Sequence, residues 1–418
     1  MAADTFLTHD MLAERSLFDL NNELTLSKYV YKGYNSNFNA SVGGYKKGDS
    51  VRIQLPNKMR THDGANITGA IPGIQEANTT ITVDEHHNVP WDFIEQDLTL
   101  EIEGYAKKYL KPATIALGNL VDLYGCKEHV NLYNQVGAPG TTPSTFGVLA
   151  DAALRMDQEG IVRQDRNTVF SAKAHWSMAD GELKTVFQQN IVDTMLRRGF
   201  IGNFALMDFY MDQNIQNHTN GHFSTGSTPV MKAGTAEGAT VIVTDGWGAA
   251  GTVKKGDRFT IATVAGVNPV SGENWEGDEL RQFVVTADAE DDGAGNMTIH
   301  ISPAIISSAA GADLLPYQTV NDLPTVGEAL TFIGTEDLSY PQNMAFHPNC
   351  FALTTVPFAK PKSAGAAVMW GQANDDQLGL SITIATGFDI LTYVETTRLD
   401  ILFGWDTPQP NYGVVITG

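Results

Sequence analysis

The places where this chain of 418 residues could do chemistry are those where histidine and acidic side chains fall close together. Two groups qualify: Asp84-Glu85-His86-His87, and Asp212 with His218 and His222. Either could offer the nitrogen and oxygen ligands of a catalytic metal, and hence a metal-dependent hydrolase. The spacing argues against both. Adjacent residues on a strand point to opposite faces, which separates His86 from His87, and His218 and His222 sit in an Asn/Gly-rich loop rather than on a helix. The acidic turn from Asp288 to Asp292 could attract calcium, but it lacks the ligand spacing of a helix-loop-helix site. Glu101 and Glu103, two residues apart on a helical pattern, cannot converge as an acid/base pair and read as first-turn compensation of the helix dipole. No phosphate-cradling glycine loop, nucleophile elbow, zinc-protease helix or paired-cysteine site is present. The expectation is a protein that is not an enzyme and uses no metal or other cofactor.

Composition narrows the class further. Cys126 and Cys350 are the only cysteines and lie in segments of different kind, so no disulfide framework is expected and the chain suits a reducing cytoplasm. The net charge of -21 gives no general attraction to nucleic acid or an anionic membrane. No apolar run reaches the roughly 20 residues needed to span a bilayer, and the start shows no basic-then-apolar export signal. Only 18% of residues are charged against 42% hydrophobic, so part of the surface is expected to face other copies of the chain. The basic residues gather in two places. Lys107, Lys108 and Lys111, with Lys127, mark one side of a helical stretch, and Arg52, Lys58 and Arg60 mark a long loop.

The elements that would position these residues follow from periodicity. Met11, Leu12, Leu17, Phe18 and Leu20 fall at helical spacing within an amino-terminal arm. A Gly-rich turn feeds an alternating strand from Val42 to Leu55, and Thr79 to Val83 reads as its return. Between them lies a Gly/Pro/Asn/Thr-rich excursion, Pro56 to Asn78, with little to pack. From Glu95 to Tyr133 the pattern is helical, with Pro112 either kinking the helix or opening a second one. Ser144 is placed as the cap of a helix running to Met156, Thr168 to Phe170 as a strand, Met178 to Arg197 as helical, and Phe200 to Asp212 as a central element. Strands alternating with helices make this region α/β or α+β.

Between Ser224 and Thr335 the texture changes to short β segments such as Thr240 to Thr244 and Gln282 to Thr286, separated by Asp/Gly turns. Four to six strands suggest a small closed barrel, inserted into a host fold. It holds five basic and fourteen acidic residues, much of the excess charge. After Glu336 the host resumes with strands Phe351 to Val356, Leu380 to Ala385 and Thr397 to Gly404, and Val414 to Ile416 can add a last edge strand.

This order of parts resembles the major capsid proteins of tailed bacteriophages with the HK97-type fold, and most closely the short-tailed Salmonella-phage coat protein group with its inserted I-domain. The carrying segments are Trp91 to Val136, Asn167 to Asp212, Lys255-Gly-Asp257 inside the insert, and Arg398 to Trp405 with Pro410. The resemblance implies an α+β fold. Its parts would be an N-terminal arm over 1–41, an E-loop hairpin with flanking strand over 42–90, and a P-domain spine-helix region over 91–138. An A-domain over 139–223, the inserted β-barrel over 224–335 and returning strands of the A- and P-domains over 336–418 would complete it.

The implied function is self-assembly, as pentamers and hexamers, into an icosahedral shell enclosing double-stranded DNA. Implied partners are further copies of the chain, a separate scaffolding protein during assembly, a portal protein at one vertex, the packaged DNA by enclosure, and decoration proteins, with no membrane. The protein would be made in the bacterial host cytoplasm and reside in the virion. Arg52, Lys58, Arg60, Phe6 and Phe18 become candidates for contact between subunits, and Lys107, Lys108 and Lys111 for the inner face. No Lys and Asn pair for covalent crosslinking is identified. A secreted or surface β-rich adhesin would account for the Thr/Gly/Asn-rich insert, but not for the long internal helix.

Overall fold

The computed structural model describes residues 9–34, 50–61, 65, 78–94, 109–180, 203–223, 228–248, 250–311, 313–358, 368–375, 379–389 and 394–417. Helix α1 (His9–Glu23) is followed by β1 (Ser50–Gln54), β2 (Asn78–Thr82), β3 (Glu85–Ile94), helix α2 (Lys111–Lys127) and β4 (Asn134–Val136). Then come α3 (Phe146–Gln158), β5 (Arg166–Phe170), α4 (Ala172–Asp180), β6 (Asn203–Phe204), β7 (Met207–Met211) and β8 (Asn217–Thr219). The insert holds β9 (Val230–Met231), β10 (Ala239–Asp245), β11 (Thr252–Val253), β12 (Arg258–Ala265), β13 (Leu280–Val285), β14 (Ala289–Glu290), β15 (Met297–Ile305) and β16 (Leu330–Phe332). The chain closes with β17 (Ser339–Pro341), β18 (Asn343–Phe346), β19 (Ala352–Thr355), β20 (Val368–Asp375), β21 (Leu380–Asp389), β22 (Val394–Asp406) and β23 (Gly413–Ile416).

Contacts divide the chain into two compact units, one of residues 1–53, 79–126 and 351–406, the other of residues 54–78, 127–350 and 407–418. The first is organised on β22. This strand pairs antiparallel with β21 on one side and with all ten residues of β3 on the other, from Val394 opposite Ile94 to Phe403 opposite Glu85, and its far end pairs with β19. Helix α1 buries Ala13, Leu17 and Leu20 against β20 and β21. Helix α2 buries Thr114, Leu117, Val121 and Gly125 on one stripe. A Cβ at Gly125 would come within 2.7 Å of both Leu26 and the Trp405 ring, so glycine lets the helix sit that close. Asp122, buried on the same helix, accepts the backbone N–H groups of Thr25 and Ser27 at 2.7 and 2.9 Å and so fixes the segment after α1.

The second unit contains a six-stranded mixed sheet in the order β4-β23-β18-β5-β7-β6, with α3 and α4 over a core of Leu149, Met156, Phe170, Met207 and Val414. It also contains the insert, whose six strands run β16-β12-β13-β15-β10-β9. A bridge between Val230 and Ala329 joins the two ends of that order and closes a barrel. Met297, Ile299 and Ile301 of β15 point inward and Thr298 and His300 outward, the period-two pattern of a half-buried strand. Phe259, Phe283, Ile242 and Trp247 fill the interior. The chain enters and leaves through the antiparallel pair β8 and β17, with His218 opposite Tyr340.

The structure departs from the sequence reading at several points. Trp91 to Ile94 belong to β3, not to the spine-helix region. A four-residue stretch carries too little period to separate helix from strand, and the ladder to β22 decides it. Of the helical reading from Glu95 to Tyr133, residues 95–108 lie outside the described set; α2 runs from Lys111 with Pro112 in its first turn, where a missing N–H costs nothing. The residue preceding α3 is Thr145 rather than Ser144, and it caps through no side-chain bond. The fourth helix starts at Ala172, six residues before Met178; residues 181–202 lie outside the described set. Val414 to Ile416 are not an edge: β23 lies between β4 and β18, as its wholly buried Val-Val-Ile run suits.

Candidate assembly surfaces

Local pairing absorbs the histidines that could have built a metal centre. His86 and His87 do turn to opposite sides, His86 to Asp400 at 2.9 Å and His87 to Glu85 at 3.1 Å. His218 bonds the buried Asp257 at 2.8 Å, and His222 bonds Asp337 at 2.8 Å, which raises the imidazole pKa. Among the described residues Asp212, His218 and His222 do not form a group that could hold a metal ion, and Asp212 Oδ1 accepts the N–H of Asn214. Asp292 closes its own turn by accepting from Ala294 and Asn296, and these bonds lower its carboxyl pKa.

The candidate contact residues fall on separate elements. Arg52 is exposed on β1, beside the buried Ile53. Arg60, half-buried, donates to Gln318 of the chain's own insert at 2.9 Å, and its guanidinium lies where a Cβ at Gly272 would be. The backbone N–H of Lys58 is 3.4 Å from the Tyr317 hydroxyl, and its ammonium lies 6.0 Å from that ring's centre. Phe18 is 62% exposed on the outer side of α1. Lys111 is exposed at the start of α2, whereas Phe6, Lys107 and Lys108 lie outside the described residues. Around 55–59 a cleft of about 410 Å³ is lined by Met59, Pro269, Val270, Tyr317, Pro408, Pro410 and Tyr412. Met59 and Val270 are 71% and 74% exposed.

Sequence reasoning missed the residues that seat the barrel on the mixed sheet. Arg258, at the first position of β12, is 2% exposed. Its guanidinium donates to the carbonyls of His129 and Leu132 at 2.7 Å each, to Gln342 at 3.0 Å and to Gln135 at 3.3 Å. Burial draws its pKa down to about 10, with Tyr340 and Asp257 opposing. Asp257 is bonded instead by His218, by the N–H of Gly221 and by the N–H of Lys254. Arg281 pairs with Glu159 at 2.7 Å, both buried, and stacks 4.7 Å from the Tyr133 ring centre and 5.1 Å from that of Trp275. The side chain of Gln282 holds the backbone of Gln135 at both N–H and C=O. The only signal for this in the sequence is that two of the insert's five basic residues, Arg258 and Arg281, sit inside apolar strand patterns.

An α+β host with a barrel inserted through a paired-strand neck is the layout of a tailed-phage shell protein of the HK97 type. The family model described as "P22 coat protein - gene protein 5" matches residues 1–418, and the chain belongs to that family. It is a major capsid protein that forms the icosahedral shell and is part of the virion, a structural role. Among solved structures it is similar to one from Mycobacterium phage Che8, 12% identical with a TM-score of 0.48 over 94% of this chain and 90% of that one. It is also similar to the capsid of Cyanophage P-SCSP1u, 9% identical, TM-score 0.42, over 89% and 84% of the two chains. A third is the mature capsid of bacteriophage PhiM1, 10% identical, TM-score 0.41, over 88% and 82%. No curated protein matches the chain.

Proposed function

We propose that the subunits assemble as pentamers and hexamers around double-stranded DNA, with a separate scaffolding protein guiding assembly in the host cytoplasm and a portal protein replacing one vertex. The acidic barrel, over 224–335, lies on the outside, and Lys111 with Lys107 and Lys108 faces the interior. Contacts between subunits run through the arm at Phe18 and the extension at Arg52, Lys58 and Arg60. The observation that carries this reading is that Phe18, Met59 and Val270 remain largely exposed in the subunit, apolar area that burial in a shell would remove from water. Each contact can be weak, because every subunit makes several and closure multiplies them. The test is the double variant Arg52→Ala, Arg60→Ala, which should fold with an unchanged far-ultraviolet spectrum yet fail to form particles by negative-stain microscopy. Normal shells from this variant would defeat the assignment of the extension.

A further inference from the structure

Asn220 and Gly221 follow β8 directly and are the only Asn-Gly pair in the sequence. The crossing of the neck demands both residues. Asn220 is 1% exposed; its Nδ2 donates to the carbonyls of Ile333 and Thr335 at 3.3 and 3.1 Å, and its Oδ1 accepts from the Tyr340 hydroxyl at 2.9 Å. Two carbonyls and one hydroxyl around a single side chain call for an amide, since a carboxylate would set an acceptor against both carbonyls. A Cβ at Gly221 would lie 2.4 Å from Thr252 O and 2.8 Å from Val253 Cα, so only glycine fits the next position. The pair that results is chemically labile, because glycine puts no side chain in the way as its amide nitrogen closes on the Cγ of the preceding asparagine. The seated joint suppresses that closure. Rotating Asn220 toward Gly221 breaks its three bonds, and the Gly221 N–H donates to Asp257 Oδ2 at 3.0 Å. Asp257 is 1% exposed, so loss of that proton would set a nitrogen anion against a buried carboxylate.

We propose that Asn220 is a deamidation site that the seated barrel keeps closed, and that a chain whose neck has stayed open long enough to react does not reseat its barrel. In the opened joint hydroxide takes the Gly221 amide proton and the nitrogen bonds to Asn220 Cγ. The Cγ–Nδ2 bond breaks, Nδ2 leaves as ammonia with a proton from water, and a cyclic imide remains. Water then opens either imide carbonyl, giving aspartate or its β-linked isomer, and is the only co-reactant. The new carboxylate meets the carbonyls of Ile333 and Thr335, and the β-linked isomer adds a backbone atom where Gly221 already lies against Thr252.

The test is peptide mapping by mass spectrometry of the full chain kept in mildly alkaline buffer, folded and in urea. In urea Asn220 should convert faster than Asn343 and Asn411, which precede Met344 and Tyr412. In the folded chain, where only the opened joint reacts, it should convert about a hundredfold more slowly than in urea. Tyr340→Phe keeps the ring, removes one of the three bonds and should speed the folded-state conversion about fivefold. Chain converted in urea and refolded should exchange the amides of β8 and β17 about tenfold faster than chain passed briefly through urea, with β13 and β15 unchanged. Asn220→Asp, expressed directly, should show the same loss without any refolding step. Equal conversion folded and in urea overturns the closure. Conversion of Asn220 in urea no faster than that of Asn411 overturns the site, and wild-type exchange in both the converted chain and Asn220→Asp overturns the loss of reseating. No measurement here involves particles, so the proposal and the shell role stand or fall separately.

Discussion

Replacing Arg258 with methionine tests whether the barrel is held to the mixed sheet by this one guanidinium. Three of its contacts, to His129 O, Leu132 O and Gln342 Oε1, are 3.0 Å or shorter. At roughly 2 kcal/mol for a bond to a charged donor, they contribute about 6 kcal/mol. Against this stands the burial of a charge that, among the described residues, bonds no carboxylate. It lowers the guanidinium pKa from 12.5 to about 10. At about 1.4 kcal/mol per tenfold change in proton affinity, that burial costs roughly 3 kcal/mol. The net loss expected for Arg258→Met is therefore about 3 kcal/mol, in the range for removing one side of a buried polar network. Hydrogen exchange of the full chain is the assay. Since about 1.4 kcal/mol is a factor of ten, the amide of Gln135 and those of β8 and β17 should exchange about a hundredfold faster. Strands β13 and β15, whose core does not include Arg258, should keep their protection. Unchanged exchange at Gln135, or equal loss of protection throughout the barrel, would refute the argument that the junction is a separable polar clamp.

Gly125→Ala forces a methyl against Leu26 and Trp405 and should destabilise the subunit by about 1–3 kcal/mol, read as a lower urea midpoint. Residues 224–335 expressed alone should unfold cooperatively, because the barrel closes on its own core; a disordered spectrum would remove its standing as a domain. Burial lowers Lys32 to about 8, with Asp122 opposing. The folded state then binds fewer protons than the unfolded state between about pH 8 and 10.5, so stability should rise with pH in that window. Between pH 7.5 and 9.5 the wild type should gain roughly 2 kcal/mol relative to Lys32→Met in urea unfolding, and parallel curves would disprove it.

Much of the fold was legible because periodicity reports burial. The alternation of β15, the helical stripe of α2 and the return of β2 onto β1 are local patterns with local causes. What was not legible depends on partners distant in sequence. Trp91 to Ile94 is strand because β22, some 300 residues later, offers it a ladder, and Val414 to Ile416 is central because β4 arrives parallel beside it. The barrel's seat was hidden for a related reason. Arg258 reads as an ordinary charged residue after a Gly-Asp turn, and only the carbonyls of His129 and Leu132, brought in from the end of the spine segment, turn it into a clamp. Of the contact candidates, Arg60 shows the limit most clearly, since loop composition foretells reach but not that one nitrogen of the guanidinium donates to Gln318 of the same chain.

The neck formed by β8 and β17 has a consequence for how such a protein could change over time. Paired strands lie about 4.8 Å apart, so the host is interrupted at two points that are almost one point in space. Any cassette whose ends are neighbours could be spliced there without stretching the host, and the original could be deleted by joining the two strands in a tight turn. The cassette is nevertheless keyed to its socket. A replacement lacking donors at the places of Arg258 and Gln282 would strand the carbonyls of Leu132 and Gln135 and leave that of His129 with the Leu132 N–H alone, so exchange at this joint requires compensating changes in the host.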